Sequence, residues 1–154
     1  MGRRSKAKGS SFERLICREL SLMVTRGKRT DCFWRSAMSG GRATVHGGRV
    51  RQSGDIAAVA PEGNHFVSHY CVECKHYRDL QIARFVIERK GILAKFWTKL
   101  TGLAQRRNLM PVLIAKQNRL PIFVVCGTAQ NPTVVSFKTW LRLNGGSAVR
   151  RSHV

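Results

Sequence analysis

The spacing of apolar side chains divides the first half of the chain into a helix and three strands. From Ser10 to Val24 the apolar positions recur every three or four residues, and Gly27 follows them, which predicts an amphipathic helix. Residues 31–35 have strand character. Residues 50–60 and 65–75 are expected to form the two strands of a hairpin around a turn at 61–64.

The second half continues this alternation. Two helical stretches separated near Gly91 run to about Asn108, the apolar runs 111–116 and 121–126 are typical of buried strands, and a last helix is predicted over 137–143. This order predicts an α/β domain over residues 10–143, with a central mixed β-sheet flanked by helices. Residues 1–9 are expected to be a disordered basic arm, and residues 144–154 a basic tail.

Charge narrows what this domain is expected to bind. The 154 residues include 28 Lys and Arg but only eight Asp and Glu, which gives a net charge of +20 spread along the chain. Such a field favours a polyanion, and contacts between basic side chains and phosphates release counterions, so nucleic acid is the expected partner. The chain shows no apolar run of membrane-spanning length and no secretion segment at its N-terminus, so we expect a cytoplasmic protein that does not contact membrane. Five cysteines in that compartment predict no structural disulfide.

The few acids are informative because two of them fall on the predicted hairpin. Antiparallel pairing would bring Asp55 close to Glu73, and strand alternation puts Glu73 and Lys75 on one face, roughly 6 to 7 Å apart. Two carboxylates and a backbone carbonyl, here that of Cys74, suit Mg²⁺, with Mn²⁺ as a substitute. The metal would polarise a scissile phosphate and activate water, while the ammonium of Lys75 would orient that water. The pattern therefore predicts a metal-dependent nuclease site.

Simpler explanations exist for several of these residues. An acid and a lysine two positions apart are common on solvated strands, although two neighbouring acids in so basic a chain favour a bound cation. Glu13 closes a capping box with Ser10 and is also a candidate metal ligand. The Cys71-x-x-Cys74 spacing suggests zinc, but the two cysteines would face opposite sides of a strand, so buried or surface thiols are favoured.

The tryptophans are open to two interpretations. Trp97 falls at core spacing in a predicted helix, which favours packing. For Trp34, beside the glycine-rich basic segment, packing and base stacking stay equally open.

Four short motifs in fixed order resemble one known family. They are Gly9-Ser10-x-Phe12-Glu13-Arg14, Arg35-x-x-x-Ser39-Gly40, Gly54-Asp55-Ile56-Ala57 and Val72-Glu73-Cys74-Lys75. Together, over roughly residues 9–116, they resemble the archaeal-type Holliday junction resolvases of the PD-(D/E)XK nuclease superfamily, which also occur in phages. The segment between Ser39 and Asp55 is long and basic for that family, and Gly54 stands where the superfamily pattern has proline.

The resemblance implies a restriction-endonuclease-like fold and a symmetric homodimer that nicks four-way DNA junctions in pairs. It implies Glu13, Asp55, Glu73 and Lys75 as catalytic residues, with Glu13 as a further metal ligand, Ser39 in a catalytic loop and Arg35 in contact with DNA. The alternatives are another PD-(D/E)XK DNA endonuclease, acting on branched or damaged DNA, and a non-catalytic DNA-binding protein. The residues expected to contact DNA are Arg4, Lys6, Lys8, Arg14, Arg35, Arg42, Arg49, Arg51 and Lys116.

Overall fold

A computed structural model describes residues 3–36 and 52–145. It has five helices and seven strands in this range, with a short 3₁₀ turn at Pro61–Gly63. The helices are α1 (Arg3–Thr25), α2 (Asn64–His69), α3 (Ile82–Glu88), α4 (Ile92–Arg106) and α5 (Phe137–Gly145). The strands are β1 (Phe33–Arg35), β2 (Gln52–Ser53), β3 (Ile56–Ala58), β4 (Tyr70–Tyr77), β5 (Met110–Gln117), β6 (Phe123–Gly127) and β7 (Pro132–Ser136). None of the helices in these ranges has the length and apolarity needed to cross a membrane.

The central sheet has the order β4-β5-β6-β7 and lies between two helical layers. β4 and β5 are parallel and the other pairs are antiparallel, so the sheet is mixed as predicted. Strand alternation sends Val72 and Cys74 into a core beneath α1 and α5, whereas Cys71 faces a second core beneath α3 and α4. The predicted α/β fold is confirmed.

The helical periodicities of the sequence correspond to buried faces. α4 buries Leu93, Trp97, Leu100 and Ala104, which share one side of the helix at intervals of three or four residues. Two helical stretches running to about Asn108, a last helix over 137–143 and strands at 111–116 and 121–126 were predicted, and all are confirmed within a few residues. β7 was missed, and α5 extends to Gly145, so that only residues 146–154 of the expected tail lie outside the described ranges.

Two predictions for the N-terminal part are wrong. α1 begins at Arg3, so residues 3–9 of the expected disordered arm are helical, which suits their alanine, lysine and arginine content. Ser10 therefore lies inside the helix, away from its N-terminus, and the capping box with Glu13 does not form.

The predicted hairpin is also wrong. β3 pairs with β1 and β2 in a separate three-stranded antiparallel sheet, and residues 64–69 form α2 where a strand was expected. Phe66 and Val67 on α2 are buried against the core beneath α1, so tertiary packing determines the structure of this short segment. Among the residues that the structure describes, β4 joins the small sheet through a parallel bridge between Gly54 and Val72.

Candidate active site

The free edge of β4 holds Asp55 in place. The Asp55 N–H donates to the carbonyl of Val72 at 2.8 Å, and the Cys74 N–H donates to Asp55 Oδ2 at 2.8 Å. A third bond, from the Ser36 N–H to the Asp55 carbonyl at 2.7 Å, ties the same residue to the end of β1. Asp55 is thus fixed at its backbone and its carboxylate, at the junction of the two sheets.

Gly54 makes this close approach possible. Its φ of +69° lies in the left-handed region that favours glycine, and a Cβ added there would stand 2.0 Å from the Val72 carbonyl oxygen. The superfamily's proline could not adopt this φ, since its ring fixes φ near −65°. Glycine at this position is therefore a requirement of the backbone geometry that brings Asp55 against β4.

Glu73 and Lys75 share the β4 face that looks toward α4, as predicted from strand alternation, and their side chains form an ion pair. The Lys75 ammonium also lies 5.2 Å from the centroid of the Phe96 ring, a cation–π contact that orients it from the α4 side. Burial alone would lower the pKa of Lys75, but the hydrogen bond and charge of Glu73 outweigh it and raise this pKa. Lys75 is therefore a positioned cation beside two acids.

The electrostatics of Asp55 are those of an acid kept partly out of water. Burial raises its pKa from the ordinary 3.8 to about 6, and the negative charge of Glu73 adds to this effect. The hydrogen bond from Cys74 and the charge of Lys75 act in the opposite direction, and Glu13 contributes a further small upward effect. A carboxylate with these neighbours gains from a bound cation.

Glu13 and Arg35 form an ion pair across α1 and β1. Both side chains are largely covered, at 13% and 28% exposed. Glu13 is near enough to influence Asp55, while Arg35, expected to contact DNA, is engaged with Glu13 in this structure. This pair was not predicted, because a separation of 22 residues does not indicate a contact between a helix and an edge strand.

A basic cluster lies where β4 and β5 end. His76 and Lys116 are in register on these parallel strands, Lys8 Nζ donates to Asn118 Oδ1 at 2.6 Å, and the Phe12 and His76 rings are 5.5 Å apart. Burial, then the charges of Lys8 and Lys116, lowers the pKa of His76, so these two expected DNA contacts lie close to the same side chain. His76 and Asn118 were missed. Parallel pairing of β4 with β5 would have indicated His76 beside Lys116, but not Asn118, which follows β5.

The other predicted site residues are placed less fully. Arg14 is exposed on α1. Arg4 and Lys6 belong to the first turns of α1, and their side chains lie outside the described part of the structure. Also outside the described residues are Ser39, Arg42, Arg49 and Arg51.

The cysteines do not form a zinc site. Cys71 and Cys74 point into different cores, as predicted, and all five cysteines are free thiols. Burial, then the charge of Asp55, raises the pKa of the Cys74 thiol, so only its backbone is suited to the site. Within residues 3–36 and 52–145, no three His, Cys, Asp or Glu side chains gather as a metal-binding group.

Residues 4–141 match the protein family described as "Phage putative PDDEXK endonuclease". The chain belongs to this family. The PDDEXK endonuclease family match covers the whole described core and confirms the PD-(D/E)XK part of the resemblance seen in the four motifs. No curated protein and no solved structure matches the chain significantly.

PDDEXK nucleases typically use divalent metal ions, and the donor set of this site fits such an ion. Asp55 and Glu73 supply two carboxylates, and the C=O of Cys74 points to the same strand edge as its N–H, toward Asp55. Two carboxylates and a carbonyl leave positions for water and a phosphate oxygen, which is how Mg²⁺ is commonly held. Two acidic side chains and one backbone carbonyl are therefore sufficient to hold a divalent metal ion.

Proposed function

We propose that this PDDEXK family member is a structure-selective DNA endonuclease that resolves four-way junctions by paired, Mg²⁺-dependent hydrolysis of two phosphodiesters. The observation that carries the catalytic part is the bond from the Cys74 N–H to the Asp55 carboxylate, which holds Asp55 beside Glu73 and Lys75. The four motifs resembling the junction resolvases support the choice of substrate. The net charge of +20 supports DNA as the partner.

Each residue has a distinct part in the proposed reaction. Mg²⁺ would be held by Asp55, Glu73 and the Cys74 carbonyl, and would supply Lewis acidity to the scissile phosphate and the attacking water. Lys75, fixed between Glu73 and Phe96, donates hydrogen bonds to that water or to the developing negative charge on phosphate. Glu13 keeps Arg35 close to the acids, where the guanidinium is available to a DNA phosphate.

We also propose that the active form is a homodimer. Two active sites related by a twofold axis match the two scissile phosphates of a four-way junction, whereas one monomer would leave one strand uncut. The mass of the free protein and of its junction complex, measured by light scattering, tests this directly. A complex containing one chain per junction would contradict it.

The test of function uses an immobile four-way junction and a linear duplex of matched sequence, each with Mg²⁺ or with EDTA. We expect paired nicks in the junction with Mg²⁺ only, and none from Glu73→Gln. Glu88→Gln is the matched control, because Glu88 also forms an ion pair with a basic side chain but lies on α3. It should cut at the wild-type rate.

The other outcomes distinguish the alternatives. Equal cutting of junction and duplex would favour a general endonuclease of the same family. Salt-sensitive binding without cutting under any metal would indicate a non-catalytic DNA-binding protein and refute the proposed chemistry.

A further inference from the structure

One tryptophan stands apart from the other two in its exposure. Trp97 and Trp140 are 3% and 4% exposed and pack in the cores, whereas Trp34 is 58% exposed. The alternation of β1 explains this difference, because Phe33 points into the core beneath α1 and Trp34 points to the opposite face. An indole left in water forgoes the stabilisation that its large apolar surface would gain by burial, so Trp34 is available to pack against a bound partner.

Trp34 lies close to the acids of the active site. It pairs with Ala57 on β3, and Ser36, the residue that follows the end of β1, donates its N–H to the Asp55 carbonyl. Two residues along a strand and one strand spacing across put the Trp34 and Asp55 backbones roughly 8 Å apart. That separation corresponds to about two or three stacked nucleotides of one DNA strand, taking 3.4 Å for each.

The surroundings favour DNA as the partner over a second copy of the chain. Under the proposed function, the Asp55 carboxylate must remain open to a DNA strand, and that strand passes within reach of Trp34. A second copy seated on Trp34 would compete with the substrate for the same approach. The net charge of +20 also favours a polyanion at a surface that borders the active site.

We propose that Trp34 is a stacking platform for a base near the cleaved phosphate, and that it contributes to selectivity for branched DNA. This inference rests on the proposed nuclease function. Aromatic side chains stack on any base, but the base must first leave its neighbours. Bases inside a continuous duplex are covered on both faces, whereas those at branch points and in single strands are more readily unstacked. Trp34 would therefore favour such DNA without reading its sequence.

Tryptophan fluorescence in EDTA tests binding without cleavage. The probes are a single-stranded oligonucleotide, a four-way junction and a linear duplex. Because Trp97 and Trp140 are buried, changes in emission on binding should come from Trp34. We expect quenching by the single strand and the junction, a weaker response to the duplex, and loss of the response in Trp34→Phe.

Affinities of variants provide the second measurement. Trp34→Ala should weaken single-strand and junction binding by roughly 5- to 150-fold and duplex binding by less than about twofold, since one stacked base is lost. Trp34→Phe keeps an aromatic face and should retain most of the affinity. Val59→Ala is the matched control, because Val59 is 57% exposed beside the same small sheet. It should bind every probe as the wild type does.

The outcomes separate this inference from the proposed function. If the wild type cuts junctions but Trp34→Ala binds and cuts them normally, the stacking inference is overturned while the function stands. If Trp34→Ala becomes monomeric where the wild type is a dimer, Trp34 contacts a second copy and the inference is again overturned. The protein could also cut junction and duplex equally while single-stranded DNA still quenches Trp34 fluorescence and binds Trp34→Ala more weakly. In that case the stacking role stands and the proposed substrate does not.

Discussion

Replacing Asp55 with asparagine should stabilise the folded protein while abolishing its activity. A carboxyl pKa raised from 3.8 to about 6 means that the folded state holds this proton more tightly than the unfolded chain does. The contribution of Asp55 to stability is therefore greatest below about pH 4 and is lost as the pH rises through 6. At pH 8 the charged group lowers the free energy of unfolding by about 3 kcal/mol.

The substitution removes this penalty. The pKa of about 6 already includes the hydrogen bond from the Cys74 N–H to the carboxylate, and the asparagine carbonyl can still accept that bond. The gain at pH 8 is therefore about 3 kcal/mol, which corresponds to about 6 to 12 °C in melting temperature for a chain of this size. Near pH 4 the gain should disappear.

The assay is thermal and urea denaturation of wild type and Asp55→Asn in EDTA at pH 4, 6 and 8. Asp79→Asn is the matched control, because Asp79 also accepts a backbone N–H at 2.8 Å but is exposed. Mg²⁺ at 100 times its dissociation constant should stabilise the wild type by about 2.7 kcal/mol and have little effect on the variant. A variant that is no more stable than the wild type at pH 8 would refute the argument that Asp55 is held at a cost.

Three further predictions concern neighbouring residues. Gly54→Ala should lower the free energy of unfolding, measured by urea denaturation, by about 2 to 4 kcal/mol, because the added Cβ would collide with the Val72 carbonyl at a positive φ. The control Gly102→Ala, inside α4, should be neutral or stabilising. Lys75→Met should reduce the single-turnover cleavage rate by about 100-fold or more and leave DNA affinity nearly unchanged. The control is Lys99→Met, at an exposed position of α4, and an equally small effect of both substitutions on the rate would contradict the role of Lys75. Lys8→Ala should reduce by about 1 the slope of log affinity against log salt concentration for every DNA tested, and an unchanged slope would remove Lys8 from the phosphate contacts.

The sequence predicted that Asp55 and Glu73 lie close together, but not the local structure that brings them there. Asp55 and Glu73 were expected to meet because two strands of one hairpin would pair, but Asp55 reaches β4 through a bridge between two sheets. The residue types and their order were sufficient to identify the acids. The backbone path that brings the two acids together could not be predicted. It includes α2, which depends on tertiary burial of Phe66 and Val67, and periodicity in a six-residue segment cannot reveal that burial.

Contacts between distant residues were the part that single-sequence reasoning could not provide. The pairing of Glu13 with Arg35 and of Lys8 with Asn118 depends on how α1 crosses both sheets. By contrast, the shared face of Glu73 and Lys75 was predicted correctly, since it follows from strand alternation alone. The homodimer and the junction specificity stay predictions.

The attachment of Asp55 to β4 has a consequence for solubility. β4 pairs with β5 along one edge, and an open strand edge is a template on which another chain can add, a common first step toward aggregation. Asp55 occupies two positions along β4, the Val72 carbonyl and the Cys74 amide, through its backbone and its carboxylate. The acid thus also closes the sheet margin to intruding strands. A protein that lost the Asp55 side chain altogether would expose the Cys74 amide at that margin, and its yield in soluble form would fall together with its chemistry.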